Sequence, residues 1–404
     1  MTKPFLLFVD DEAHVLSSLR RMLFDMAREW DMGFAPGGQE ALDMMAERAP
    51  DILITDALMP GMDGATLLEK TLERFPNTIR IVLSGQARQD VVFRLARLAH
   101  QYLQKPVEGQ RLKALFRRLI ELRNLPMGGA EGGNLSGIVN LPVLPEIYQE
   151  LQASMASPNA SLREVGAIIG RDLAMTAGLL KLVNSSFFGL PQRVVSPETA
   201  AVLLGQNVLK SLVLHHYMFI GFETNRFKTF RLKMLMDHCL NSALQAKELA
   251  TLEGLDRNET DRAFVAAILH DVGKLILAAR FPDRFEAVLA EAHRANVIFH
   301  EAEKNLGPGT HCEVGAYLLG LWGFEDEIIE AVLHHHEPGK CPGANRLLPF
   351  VHAANCLERE IVVLNPDYSR QEMDEAYIKG VGYGNRMDEW RVKAREALGR
   401  EVEA

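Results

Sequence analysis

A chain of 404 residues with 48% hydrophobic and 24% charged content has the composition of ordinary globular domains and is long enough for two or three of them. Its net charge of −9 argues against a general nucleic-acid binder, and no apolar run reaches the length of a membrane span. Four cysteines (Cys239, Cys312, Cys341 and Cys356) follow neither zinc nor redox spacing, and no signal-peptide layout opens the chain; together these predict reduced thiols in a cytoplasmic protein.

In chain order, Phe5–Val9 is the first expected strand, followed directly by Asp10, Asp11 and Glu12, with Val15, Leu19 and Leu23 then at helical spacing. Further strands are expected over 51–55, 79–83 and 102–104, separated by helical stretches such as 38–48 and 64–74. This alternation predicts a doubly wound α/β domain with five parallel strands, flavodoxin-like in kind. Asp56 ends an apolar run, and Met59-Pro-Gly-Met-Asp-Gly64 turns the chain away, so Asp56 is presented at the carboxyl end of a strand. Asp10, Asp11, Ser84 and Lys105 also sit just after strands and would converge on the same edge. Taken alone, Asp10-Asp11 would equally well cap a helix, and Ser84 or Lys105 would be a solvated surface residue. Occurring jointly, they point to a phosphoacceptor site.

The expected chemistry follows from charge. Clustered carboxylates repel one another and an incoming phosphate, and Mg2+ relieves both conflicts through oxygen ligands. Asp56 would be the nucleophile, Lys105 a point charge on a phosphoryl oxygen, and the Ser84 hydroxyl a donor to another. Pro106 predicts a cis peptide that orients the lysine. The pair Asp10-Asp11, Asp56 with Met59–Gly64, Leu83-Ser-Gly85 and Tyr102-Leu-Gln-Lys-Pro106 resemble the receiver domain of bacterial response regulators. That resemblance implies phosphorylation at Asp56, a Mg2+ site of Asp10, Asp11, Asp56 and the Leu58 carbonyl, and a switch pair of Ser84 and Tyr102.

Leu112, Leu115, Phe116, Leu119 and Ile120 mark an amphipathic helix closing this domain, followed by a glycine-rich stretch expected to act as a flexible joint. The expected division is a receiver over 1–123, a linker over 124–137, an all-α HD-superfamily-like domain over 138–362 and a helical tail over 363–404. Ser161-Leu-Arg-Glu164 is a capping box, and Ser196-Pro197 starts another helix that Gly205 would close, with Asn207 capping the next. In the tail, Trp390, Val392 and Leu398 are the few apolar points, predicting one short packed helix and a frayed end.

The helical part offers His238, His270-Asp271, His311 and His334-His-His-Glu337. Imidazoles with one carboxylate suit Fe, Mn or Zn, and two such metals could clamp a phosphodiester. A lone histidine on an apolar helix is more often a packed core residue, whereas His-Asp before Val-Gly-Lys274 is more specific. From about residue 141 to 357 the chain resembles the HD superfamily of metal-dependent phosphohydrolases and, within it, the HDOD domain. The resemblance rests on Leu141-Pro-Val-Leu-Pro145, Leu180-Lys-Leu-Val-Asn-Ser185, Leu203-Leu-Gly205 and Leu269-His-Asp-Val-Gly-Lys-Leu275. It implies HD metal ligands at His238, His270, Asp271, His311, His335 and His336, and a phosphate contact at Lys274. Two features depart from that pattern: Pro338-Gly-Lys-Cys-Pro342 replaces a Gly-Tyr-Pro loop, and Asn355 replaces the last metal-binding aspartate. Because HDOD domains are generally partner-binding outputs, the expectation favours signalling without turnover; the alternative is a receiver-gated phosphohydrolase acting on a cyclic dinucleotide or other phosphoester. A sensor histidine kinase or phosphotransfer protein is the implied input partner, and a further protein the output partner. Direct DNA binding and membrane association are not expected, and a homodimer is open.

Overall fold

The computed structural model describes residues 3–84, 95, 98–124, 126–127, 133–134, 145–155, 161–184, 194–220, 232–361 and 371–399. The chain divides into two compact units: Met1–Leu125 is the body of the first, and Glu150–Ala316 with Phe324–Ala404 forms most of the second. No helix among the described residues is long and apolar enough to cross a membrane.

The first unit opens with β1 (Phe5–Val9), an apolar strand buried throughout. It continues through α1 (Ala13–Met22), β2 (Asp31–Ala35), α2 (Gly38–Glu47), β3 (Ile52–Thr55), α3 (Gly64–Arg74), β4 (Ile79–Ser84), β5 (Gln101–Gln104) and α4 (Gly109–Arg123). The five strands form one sheet in the order β2-β1-β3-β4-β5, and all four pairings are parallel. Side chains alternate across it. Leu7, Val9, Leu53 and Val82 join Ala41, Leu42, Leu67 and Leu68 of α2 and α3 in one core. Phe8 faces the other way, stacking on Phe34 at 5.2 Å and meeting the edge of Phe116 at 5.9 Å.

The register positions the chemistry. Val9 pairs with Thr55, so residues 10 and 56 leave the sheet side by side. Gly64 lets α3 start against the end of β3: a Cβ there would lie 2.1 Å from the Asp56 carbonyl oxygen. β2 is the strand that hydrophobic patterning did not indicate. It lies at the sheet edge, and only its Gly33 and Ala35 are buried, which leaves little apolar signal.

The second unit is helical. Its elements are α5 (Glu146–Met155), α6 (Leu162–Gly170), α7 (Leu173–Val183), α8 (Pro197–Leu204), α9 (Gln206–Ile220), α10 (Leu232–Leu252), α11 (Arg257–Leu269), α12 (Val272–Arg280), α13 (Pro282–Ala295), α14 (Phe299–Asn305), α15 (His311–Leu321), α16 (Asp326–His334), α17 (Leu348–Ile361), α18 (Glu375–Gly380) and α19 (Met387–Gly399). The Ser161–Glu164 capping box forms as expected, and Ser196 caps α8. Asn207 does not cap the next helix. Gly205, at φ 86°, is the sole residue between α8 and α9, and its carbonyl accepts the Leu209 N–H, which places Asn207 inside the first turn. The described tail holds two helices where one was expected: Trp390 of α19 is fully buried, packs on Phe350 of α17 and donates from Nε1 to Glu253, the residue after α10, at 2.8 Å. Residues 141–144, Ser185, Gly85 and most of the glycine-rich stretch lie outside the described residues.

Candidate functional site

The strand ends of the first unit bring Asp10, Asp56 and Lys105 together. Asp56 follows β3, with its N–H donating to the Val9 carbonyl at 2.8 Å. Lys105 follows β5 at a cis Lys105–Pro106 bond. Its Nζ lies 2.6 Å from Asp10 Oδ2 and 3.0 Å from Asp56 Oδ1. Asp11 is exposed beside them. Burial pushes the Asp56 carboxyl above its usual range, and Asp10 adds to this, against the pull of Lys105. Desolvation also opposes charge on Lys105, yet the two carboxylates outweigh it and hold the ammonium above its usual range. Two carboxylates thus compete for one ammonium, and an all-oxygen set with surplus negative charge fits a hard divalent cation such as Mg2+. Leu58 lies in the loop after Asp56. Ser84 ends β4 and Tyr102 lies in β5, where Val82 pairs with Tyr102; the Ser84 and Tyr102 side chains are outside the described residues.

In the second unit a cluster assembles from five helices and their corners. His238 comes from α10, His270 and Asp271 from the corner between α11 and α12, His311 from the start of α15, and His335 and His336 from the end of α16. Gly273 makes the corner possible, because a Cβ there would lie 1.9 Å from the His311 carbonyl oxygen. This is the physical content of the Val-Gly-Lys signature.

Each ring is oriented by an acceptor at Nδ1. His270 donates to the Ala267 carbonyl at 2.6 Å, His335 to the Val332 carbonyl at 2.7 Å, and His336 to Gln371 Oε1. His238 is held by Glu358 at 2.5 Å and His311 by Glu303 at 2.6 Å, both carboxylates fully buried. Carbonyl and carboxylate oxygens accept, so a proton sits on each Nδ1 and the Nε2 atoms face inward. The Nε2 atoms of His238 and His270 are 3.2 Å apart, as are those of His311 and His336. Two bare nitrogens at that distance repel unless a proton or a metal ion stands between them.

Asp271 lies amid these nitrogens. Its Oδ2 is 3.5 Å from His270 and 3.7 Å from His238; its Oδ1 is 3.1 Å from His311 and 3.7 Å from His335. Oδ1 is buried and receives no hydrogen bond. Burial holds His270 down to about 3, and burial with neighbouring imidazoles holds His335 and His336 well below their usual range. At His311, desolvation is outweighed by Cys312, Glu303 and Asp271, which hold the imidazole well above its usual range. The ligand atoms of His238, His270 and Asp271 lie within 4.8 Å of one another, as do those of Asp271, His311, His335 and His336. The residues therefore fit a transition metal.

Two cationic side chains already serve the Oδ2 side. Lys274 Nζ donates to it at 2.6 Å, and Arg359 Nη2 lies 3.7 Å from it and 3.5 Å from His238 Nε2. Asn355 is buried, donates to Gln371 Oε1 at 3.3 Å, and keeps an unpartnered Oδ1. Sequence reasoning did not find Glu303, Glu358, Arg359, His300 or Cys312. None lies in a motif, although an acid inside an otherwise buried helix face is a weak cue. Replacing Glu303→Gln should lower metal affinity about 10–100-fold by loosening His311, measured by competition with a chelator; unchanged affinity would remove Glu303 from this role.

The response regulator receiver domain family matches residues 6–117, and the HDOD domain family matches residues 141–338. Response regulator MprA of Mycobacterium bovis is 36% identical over 129 residues, 31% of this chain and 54% of that protein. An uncharacterized protein of Treponema pallidum is 24% identical over 205 residues, 51% of this chain and 39% of its own length. The chain thus spans about two fifths to one half of these curated relatives. A solved HDOD domain protein of unknown function from Geobacter sulfurreducens is 21% identical, with 71% of this chain and 99% of that one covered and a TM-score of 0.49. The chain carries a response regulator receiver domain at residues 6–117, followed by an HDOD domain at residues 141–338.

Proposed function

We propose that Asp56 accepts a phosphoryl group from a sensor histidine kinase or phosphotransfer protein, and that the HDOD domain passes the signal to a protein partner without hydrolysing a substrate. The observation that carries the first half is the Lys105 ammonium shared between Asp10 and Asp56 at adjoining strand ends. An Asp56 carboxylate oxygen would attack phosphorus in line, and the bond from phosphorus to the donor nitrogen would break. Lys105 would exchange part of its contact with Asp10 for a phosphoryl oxygen, and Ser84 and Tyr102 would respond as the switch pair. Asp10, Asp11, Asp56 and the Leu58 carbonyl would hold Mg2+, which would neutralise charge on the cluster and the donor. The domain division we propose is 1–123, 124–137, 138–362 and 363–404, with the protein acting in the cytoplasm and not on DNA.

Absence of turnover is supported by Lys274 and Arg359 at Asp271 Oδ2, and by Asn355 in place of a charged ligand. The rival reading, a receiver-gated phosphohydrolase using Mn, Fe or Zn, draws support from the unpartnered Asp271 Oδ1 amid converging nitrogens. Incubating the chain with acetyl phosphate and Mg2+ tests the first half: one hydroxylamine-sensitive phosphoryl group per chain is expected, and none would overturn it. Hydrolysis of a cyclic dinucleotide by the Mn- or Fe-loaded chain would replace the partner-binding reading with the enzymatic one.

A further inference from the structure

The histidine cluster has a further group of donor atoms that does not include Asp271. Cys312 follows His311 at the start of α15, and its Sγ lies 3.5 Å from His311 Nε2 and 3.8 Å from His300 Nδ1. His300 comes from α14, where its Nε2 is 3.3 Å from Glu337 Oε2. With that nitrogen donating to the carboxylate, the Nδ1 lone pair faces Cys312. His336 completes the group, its Nε2 3.2 Å from His311 Nε2. The ligand atoms of His300, His311, Cys312 and His336 lie within 4.8 Å of one another, and Cys312 is buried.

We propose that His300, His311, Cys312 and His336 form a sulfur-containing transition-metal site, with zinc as the fitting ion, which shares His311 and His336 with the neighbouring histidine–aspartate half-site but adds a thiolate and His300. Tetrahedral zinc, with Zn–N of about 2.0–2.1 Å and Zn–S of about 2.3 Å, sets nitrogens about 3.4 Å apart and sulfur about 3.6 Å from nitrogen. The distances of 3.2, 3.5 and 3.8 Å already approach those edges. A thiolate with three imidazoles selects zinc over hard cations and closes the shell, leaving no position for water. His311 offers one inward nitrogen, so a metal held through Cys312 takes it from the Asp271 half-site. The site would brace α14, α15 and α16 against one another, which is a structural role.

Cobalt(II) titration of the metal-stripped full-length chain tests this. Wild type is expected to show a sulfur-to-cobalt charge-transfer band in the near ultraviolet, with visible d–d bands of tetrahedral intensity. Cys312→Ser should reduce the charge-transfer band at least tenfold, whereas Cys239→Ser and Cys356→Ser should retain it. Cobalt bound to wild type without that band would overturn the proposal and place the metal on Asp271, His311, His335 and His336. Failure to bind cobalt, or loss of the band in Cys239→Ser or Cys356→Ser, would also overturn it. Should Cys312→Ser not fold, X-ray absorption of the zinc-loaded wild type decides: one sulfur at about 2.3 Å is expected, and a shell of nitrogen and oxygen alone refutes it. Neither readout depends on phosphorylation of Asp56.

Discussion

Replacing Asp56 with asparagine is expected to abolish phosphoryl labelling by acetyl phosphate and Mg2+ while leaving the fold intact. The amide cannot attack phosphorus, whereas Lys105 keeps its 2.6 Å contact with Asp10 Oδ2 after the change. Asp10 is the other carboxylate that contacts Lys105, but its buried position and its bond from the Glu12 N–H make it a support, not a substitute nucleophile. Lys105→Ala should leave a smaller residual signal: the nucleophile survives, while Asp10 and Asp56 lose the ammonium between them. Labelling followed by hydroxylamine treatment and mass spectrometry reads both variants. A fully labelled Asp56→Asn chain would move the acceptor elsewhere and refute the proposed input.

The second large effect is expected in the helical domain. Asp271→Ala should destabilise it by about 3–5 kcal/mol, because removing one partner of a buried ion pair leaves the other charge uncompensated. Lys274 is the group at risk: its side chain is 5% exposed, and its ammonium donates to Asp271 at 2.6 Å. Adding Lys274→Met should recover much of the loss, since the apolar stem remains packed and the unpaired charge is gone. Urea unfolding of the two single variants and the double variant measures this coupling. An Asp271→Ala chain within about 1 kcal/mol of wild type would mean that Lys274 finds another partner or reaches water.

The Asp271 substitution also separates two roles of the cluster. A domain that needs Asp271 for stability but binds metal through Cys312 would keep its sulfur-to-cobalt band once Lys274→Met restores the fold. Binding that depends on Asp271 would lose it.

Much of the first domain was legible in the sequence because its signals are local. Apolar runs such as Phe5–Val9 and Ile52–Thr55 declare strands, and a turn or acidic pair directly after them declares strand ends. Asp10, Asp56 and Lys105 could be assigned to one edge because a parallel sheet brings all its carboxyl ends to that edge. The edge strand Asp31–Ala35 was not legible, since a strand open to solvent on one side needs few apolar residues. Asn207 misled because a favourable cap residue stands two positions past Gly205, whose own carbonyl already opens the helix.

For the second domain, His238, His270, Asp271, His311, His335 and His336 were identifiable as residue types, but their arrangement was not. Only the packing of α10, α12, α14, α15, α16 and α17 decided that Glu303 and Glu358 fix two ring tautomers, that Lys274 and Arg359 face Asp271, and that Cys312 meets His300. The physical reason is separation along the chain: His238 and Glu358 are 120 residues apart, beyond the reach of any pattern of period two or 3.6. A residue's type states which bonds its side chain can make; which partner it meets is settled when the helices close around it.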